Sequence, residues 1–137
     1  MDEARGGRGR RSLSEKYEAF SSAAARRLRA DALGTATVNG YTTQWQAEEV
    51  ARALGLAASH RLLDLGGGRG WPGSHVARET GCSLVVCDLP VEALEEARGT
   101  LEEEKLAGQA TLVRADGRTL PFASGSFDGL THADVLC

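Results

Sequence analysis

Residues 61–73 read RLLDLGGGRGWPG, an apolar run carrying one acid, followed by five glycines within eight positions. Glycines at that density let backbone N–H groups approach a ligand closely, and two registers of such chemistry overlap here. In one, Gly68, Gly70 and Gly73 spell G-x-G-x-x-G, with Asp88 lying 20 residues beyond Gly68. That is the dinucleotide fingerprint, a pyrophosphate held at a helix N-terminus. It leaves Gly66 and Gly67 unexplained, because the apolar run already ends at Leu65. In the other, Asp64, Gly66, Gly68 and Gly70 spell D-x-G-x-G-x-G, and the first glycine follows the run at once. The acid weighs between them. A carboxylate repels a pyrophosphate in a partly dry cleft and attracts a ligand bearing ammonium and sulfonium groups. The charge argument therefore favours a sulfonium methyl donor over a nicotinamide dinucleotide. Each acid also has a plainer reading: Asp64 as a cap or turn residue, Asp88 as a polar strand terminus, Asp116 as a turn residue before Gly117.

For these residues to act together, the chain must bring several strand ends to one place. LLDL (62–65) reads as a short buried strand, and Pro72 fits the first turn of a helix that Gly81 closes. SLVVCDL (83–89) is a second strand, and Pro90 opens a helix with Val91, Leu94, Ala97 and Leu101 inward and EEEK (102–105) outward. ATLVR (110–114) is a third strand and FDGLTHADVL (127–136) a fourth. Alternating strands and helices with short links predict an α/β fold, a Rossmann-like doubly wound parallel sheet with its ligand at the carboxyl ends of the strands. The sequence stops after the fourth strand, where such a sheet ordinarily continues. The expectation is a fragment, or a chain whose open sheet edge is covered by a partner or by oligomerisation, with weak cofactor binding and little turnover on its own.

Two helices precede this unit. Ser12 and Glu15 have capping-box spacing, and Leu13, Tyr17, Phe20, Ala24 and Leu28 follow at helical steps, predicting a helix over about 13–31 that ends near Gly34. Thr43 and Gln46 repeat the signal, with Ala47, Val50, Ala51 and Leu54 on one face and Gly55 as the stop. The domain organisation expected is a disordered tail over 1–11, a helical extension over 12–58 and an incomplete nucleotide-binding unit over 59–137.

Composition narrows the function classes. Hydrophobic residues make up 42% and charged residues 26%, the balance of a globular domain. A net charge of −3 and only 5% aromatic residues argue against a nucleic-acid or membrane-surface binder. Cys82, Cys87 and Cys137 lack metal-ligand spacing, so no metal is expected; they read as free thiols of a cytoplasmic protein.

Taken in series, DLGGGRGWPG, VVCDLP and RADGRTLPFASGSFDGL resemble the class I S-adenosylmethionine-dependent methyltransferases of the small-molecule type, and NGYTTQWQAEEVARAL is similar to the helix that often precedes their first strand. The resemblance covers about residues 40–137 and implies S-adenosylmethionine as cofactor and a small-molecule methyl acceptor. It implies that Asp64 faces the methionine amino group, directly or through water, and that Gly66, Gly68 and Gly70 lie against the amino-acid and ribose parts. Asp88 would then take the ribose hydroxyls, with Leu89 beside it, and Asp116 the adenine amino group, with Gly117 or Arg118 close to the ring. Thr131 to Asp134, including Ala133, would border the methionine moiety and the acceptor, and Tyr41, with Thr43 and Gln46, would cover the cofactor. His132 and Asp134 are the candidate catalytic bases, ahead of His75; Trp71 is expected to pack rather than stack on adenine. The alternatives carried beside this reading are an NAD(P)-dependent oxidoreductase and a non-catalytic remnant that binds the cofactor.

Overall fold

The computed structural model describes residues 12, 15, 22–33, 41–133 and 135. The expected tail over 1–11, the apolar positions Leu13, Tyr17 and Phe20, the stop at Gly34, and Asp134 and Cys137 lie outside the described residues. Helix α1 (Ala23–Leu33) begins where Ser22 Oγ accepts the Ala25 N–H at 3.3 Å. Leu28, one of the apolar positions at helical steps, is 71% exposed.

Helix α2 (Gln44–Leu54) starts at the expected capping box. Thr43 Oγ1 accepts the Gln46 N–H at 3.2 Å, and Gln46 Oε1 accepts the Thr43 N–H at 2.8 Å. Gly55 ends the helix in the left-handed region at φ 57°, and Ala47 and Ala51 are buried beneath it. The alternating unit follows as β1 (Arg61–Leu65), α3 (Gly73–Thr80), β2 (Ser83–Asp88), α4 (Val91–Glu103), β3 (Ala110–Arg114) and β4 (Gly129–Thr131).

The four strands form one parallel sheet in the order β3-β2-β1-β4. The chain steps outward from β1 to β3, then returns to the other side of β1 for β4. That reversal places a topological switch point between β1 and β4, where the crevice of an open α/β sheet forms. Alternation of side chains divides the core in two. Leu62, Leu84 and Val86 pack with Val76, Ala77, Leu94 and Leu101 under α3 and α4. Leu63, Val85 and Cys87 pack on the opposite face against Leu120, Phe122 and Phe127 of the loop before β4. Each leucine buried in this way stabilises the fold by about 1.5–3 kcal/mol.

The fourth strand is shorter than expected, Gly129–Thr131 instead of 127–136. Its ladder partner β1 limits it: Thr131 is level with Asp64, leaving a single residue of β1 beyond. At its other end, Asp128 turns back to accept the Arg61 N–H through its carboxylate at 2.8 Å. Among the described residues no helix is long and apolar enough to cross a membrane, and no group of three His, Cys, Asp or Glu could hold a metal.

Candidate active site

Asp64 shares the β1 face of Leu62, so alternation carries it under the N-terminus of α3, where it is 1% exposed. Its Oδ2 accepts the Gly73 N–H at 3.1 Å, and its Oδ1 accepts the Thr131 hydroxyl at 2.8 Å. A carboxylate suits a helix N-terminus, where backbone N–H groups lack partners. The fit leaves no room for a side chain opposite: a Cβ on Gly73 would lie 2.6 Å from Asp64 Oδ2, and one on Gly67 2.7 Å from the same atom. Burial raises the Asp64 carboxyl from its usual 3.8 to about 6, against the lowering effect of the Thr131 and Gly73 bonds. Gly73, which completes the dinucleotide register, thus has its N–H engaged by an acid of its own chain.

A cavity of about 540 Å³ opens at the carboxyl ends of the strands. It brings together seven of the expected residues: Gly66, Asp88, Leu89, Asp116, Gly117, Arg118 and His132. Leu65, Cys87, Ala115 and Val135 supply apolar wall. Asp88 is held in place by the loop it faces. Its Oδ2 accepts the Gly68 N–H at 2.8 Å and its Oδ1 the Leu89 N–H at 2.7 Å. A carboxylate has about four acceptor sites, which leaves two for a ligand. Gly68 makes its bond from φ 53°, a region that costs a residue with a Cβ. Asp116 accepts the Arg118 N–H at 2.9 Å and pairs with its guanidinium, which holds the carboxyl down to about 2.

Asp64, Gly68 and Gly70 do not line this cavity. Gly68 acts on it through Asp88, and Asp64 sits beneath α3 with both oxygens accepting bonds from the protein. Tyr41 and Ala133 line a second cavity, also about 540 Å³, between α2 and β4. His132 belongs to both. Its Nδ1 lies 2.9 Å from the Leu65 carbonyl oxygen, an acceptor, so Nδ1 carries the proton and Nε2 of the neutral ring keeps its lone pair. His75 is in neither cavity. It is 2% exposed, packs 5.6 Å from the Trp71 ring and meets Arg78 Nη2 at its Nδ1 at 2.9 Å. Burial, then Arg78, lowers its pKa. Trp71 packs, donating its Nε1–H to the Thr42 carbonyl at 2.9 Å.

Several lining residues are assigned no role from the sequence. Trp45 and Leu130 face the second cavity and Val135 the first. Trp45 falls off the Ala47–Ala51 face of α2, a position that helical periodicity alone marks as outward.

The methyltransferase-domain family matches residues 62–137, more than half of the chain. Methyltransferase GfsG of Streptomyces halstedii is 35% identical over 81 residues, 59% of this chain and 29% of that protein. Demethylmenaquinone methyltransferase of Parafrankia sp. (strain EAN1pec) is 32% identical over 106 residues, 67% of this chain and 41% of that one. The chain thus spans less than half the length of these curated relatives. A crystal structure of an S-adenosylmethionine-dependent methyltransferase from Thiobacillus denitrificans, in complex with S-adenosyl-L-homocysteine, is 28% identical. It superposes with a TM-score of 0.54 over 66% of this chain and 36% of its own. With the glycine loop, the switch point and the family match on one chain, this protein belongs to the methyltransferase-domain family, within the class I S-adenosylmethionine-dependent methyltransferases.

Proposed function

We propose that this chain carries the S-adenosylmethionine site of an enzyme that methylates a small molecule in the cytoplasm. The observation behind the proposal is the single cavity where Gly66, Asp88, Asp116 and His132 meet at the strand ends. Its chemistry fits this cofactor. Two carboxylates can accept from hydroxyls and an amino group, and the apolar wall suits a purine. Among the described residues, Arg118 is the one Lys or Arg of the lining; it is already paired with Asp116 and offers little to a pyrophosphate. Asp88 would hold the ribose hydroxyls with Leu89 beside them, Asp116 and Gly117 the adenine edge, and Gly66 the amino-acid part. Asp64 would act through the loop and α3, which it ties to β4.

When bound, S-adenosylmethionine supplies a methyl group already activated on a sulfonium, and a neutral thioether remains after transfer. The protein adds alignment and a place for a proton. With Nδ1–H fixed on Leu65, the His132 Nε2 lone pair can take the proton that a hydroxyl acceptor loses. Proton acceptance of this kind contributes about 10²–10⁴-fold to rate. The similarity to a demethylmenaquinone methyltransferase supports a small-molecule acceptor.

Calorimetric titration with S-adenosylhomocysteine tests the reading. Saturable binding is expected, with none for NADH. Asp88→Asn should weaken it by about tenfold or more, because charge-assisted bonds to the ribose become neutral ones. Failure of S-adenosylhomocysteine to bind, or equal binding by Asp88→Asn, refutes it.

A further inference from the structure

We propose that the Arg69–Glu96 ion pair positions the glycine loop, and through it the Asp88 carboxylate, for the cofactor. This rests on the function proposed above and extends it to two residues that stand outside the cofactor cavity.

Arg69 lies within the loop, between Gly68 and Gly70. Its neighbour faces the site, since the Gly68 N–H donates to Asp88 Oδ2 at 2.8 Å. Arg69 itself is turned away, and it lines a separate cavity of about 670 Å³ between α1 and α4. Its side chain is 18% exposed, and its Nε lies 3.0 Å from Glu96 Oε2 on α4. Among the described residues, Glu96 is the one acid within ion-pair distance of it. Arg69 Nε and Nη1 and Glu96 Oε2 are shut off from water without an aligned hydrogen-bond partner among those residues. Attraction between the two charges is what offsets their burial.

The pair closes a ring around the ribose acid. Asp88 ends β2, and Pro90 caps α4 two residues later. From Gly68 the chain passes to Arg69, and the ion pair crosses to Glu96. The helix then leads back through Leu89 to Asp88, whose carboxylate meets the Gly68 N–H again. The loop moves as one unit, because the Gly70 N–H donates to the Gly67 carbonyl at 2.7 Å and the Gly70 carbonyl accepts the Ser74 N–H at 2.6 Å. Gly70 also comes close to the residue after Glu96: a Cβ there would lie 4.0 Å from that of Ala97. Cutting the ion pair frees this unit from α4 and loosens the Gly68–Asp88 bond. Asp88 is then held by Leu89 alone, and its remaining lone pairs lose their fixed direction toward a ligand. The fold itself loses little, since exposed pairs of this kind contribute at most about 1 kcal/mol. Arg26 of α1, 3.8 Å from the same Glu96 oxygen, leaves that acid a counter-charge when Arg69 is replaced.

Amide hydrogen exchange, followed by NMR on the full chain without ligand, reads the loop directly. Arg69→Met and Glu96→Gln should each speed exchange at Gly68 about tenfold and leave the β2 amides within about twofold of the parent. Arg69→Lys should restore the parent rate, because a single N–O contact is within reach of an ammonium. Calorimetric titration reads the consequence. Arg69→Met should weaken S-adenosylhomocysteine binding about tenfold, and Arg69→Lys by less than about twofold. In an Asp88→Asn background the Arg69→Met change should add less than about twofold, since it acts through Asp88. Unchanged Gly68 exchange overturns the proposal, as does equal acceleration at Gly68 and throughout β2, which would mark a merely structural role. A full tenfold loss in the Asp88→Asn background overturns it too. Absence of S-adenosylhomocysteine binding by the unmodified chain refutes the proposed function instead, and is read separately from the exchange measured without ligand.

Discussion

Replacing Asp64 by Asn should make the protein more stable at neutral pH, although it removes a buried group with two good hydrogen bonds. The carboxyl titrates at about 6 in the folded protein, against a usual value of 3.8. Because the folded value is raised, the folded state holds the proton more tightly than the unfolded one between these two pH values. Stability associated with the group is therefore greatest below about pH 4 and declines as pH rises through 6. Above pH 7 the deficit levels off at roughly 2 pK units, or about 3 kcal/mol. Asparagine has the same shape and carries no charge. Its carbonyl oxygen can still accept the Gly73 N–H, and its amide can donate to Thr131 Oγ1. The Thr131 hydroxyl proton then turns to the Leu63 carbonyl, 3.5 Å away. Urea unfolding of parent and variant at pH 7.5 and pH 4 isolates the effect, since all other titrating groups cancel in the difference. Asp64→Asn should gain about 1–3 kcal/mol at pH 7.5 and nothing at pH 4. A variant less stable than the parent at pH 7.5 by the same margin as at pH 4 would refute the reasoning, showing that the bonds and not the buried charge govern the site.

Other substitutions probe the same frame. Gly73→Ala puts a methyl group within 2.6 Å of Asp64 Oδ2 and should cost about 1–3 kcal/mol by urea unfolding, the range for overpacking a filled interior. Thr43→Ala removes the N-cap of α2 and should cost about 1 kcal/mol in the same assay, with lower helicity by circular dichroism. Arg118→Ala releases the Asp116 carboxyl from its ion pair, and carbon-detected NMR titration should show that carboxyl rising from about 2 toward the ordinary range.

What the sequence determines by itself is local. Both capping boxes, the left-handed glycines at Gly55 and Gly81, and the strand–helix alternation depend on residues within a turn or two of each other, and they appear where the spacing puts them. The spacing between Gly68 and Asp88 was legible too, though as a fingerprint; its physical content is the hydrogen bond joining the two. Tertiary structure decided the contacts. Asp64 reads as a ligand-facing acid because it precedes a glycine loop. Yet its partners are Gly73, on the next helix, and Thr131, 67 residues away and level with it only once β4 pairs with β1. The same pairing sets His132 on the Leu65 carbonyl, which fixes its tautomer and joins the two cavities. Spacing reports which residues can share a turn or a face. Which acid is buried, and which side chain stands between two cavities, follows from the order in which strands assemble, a long-range property that no window of sequence contains.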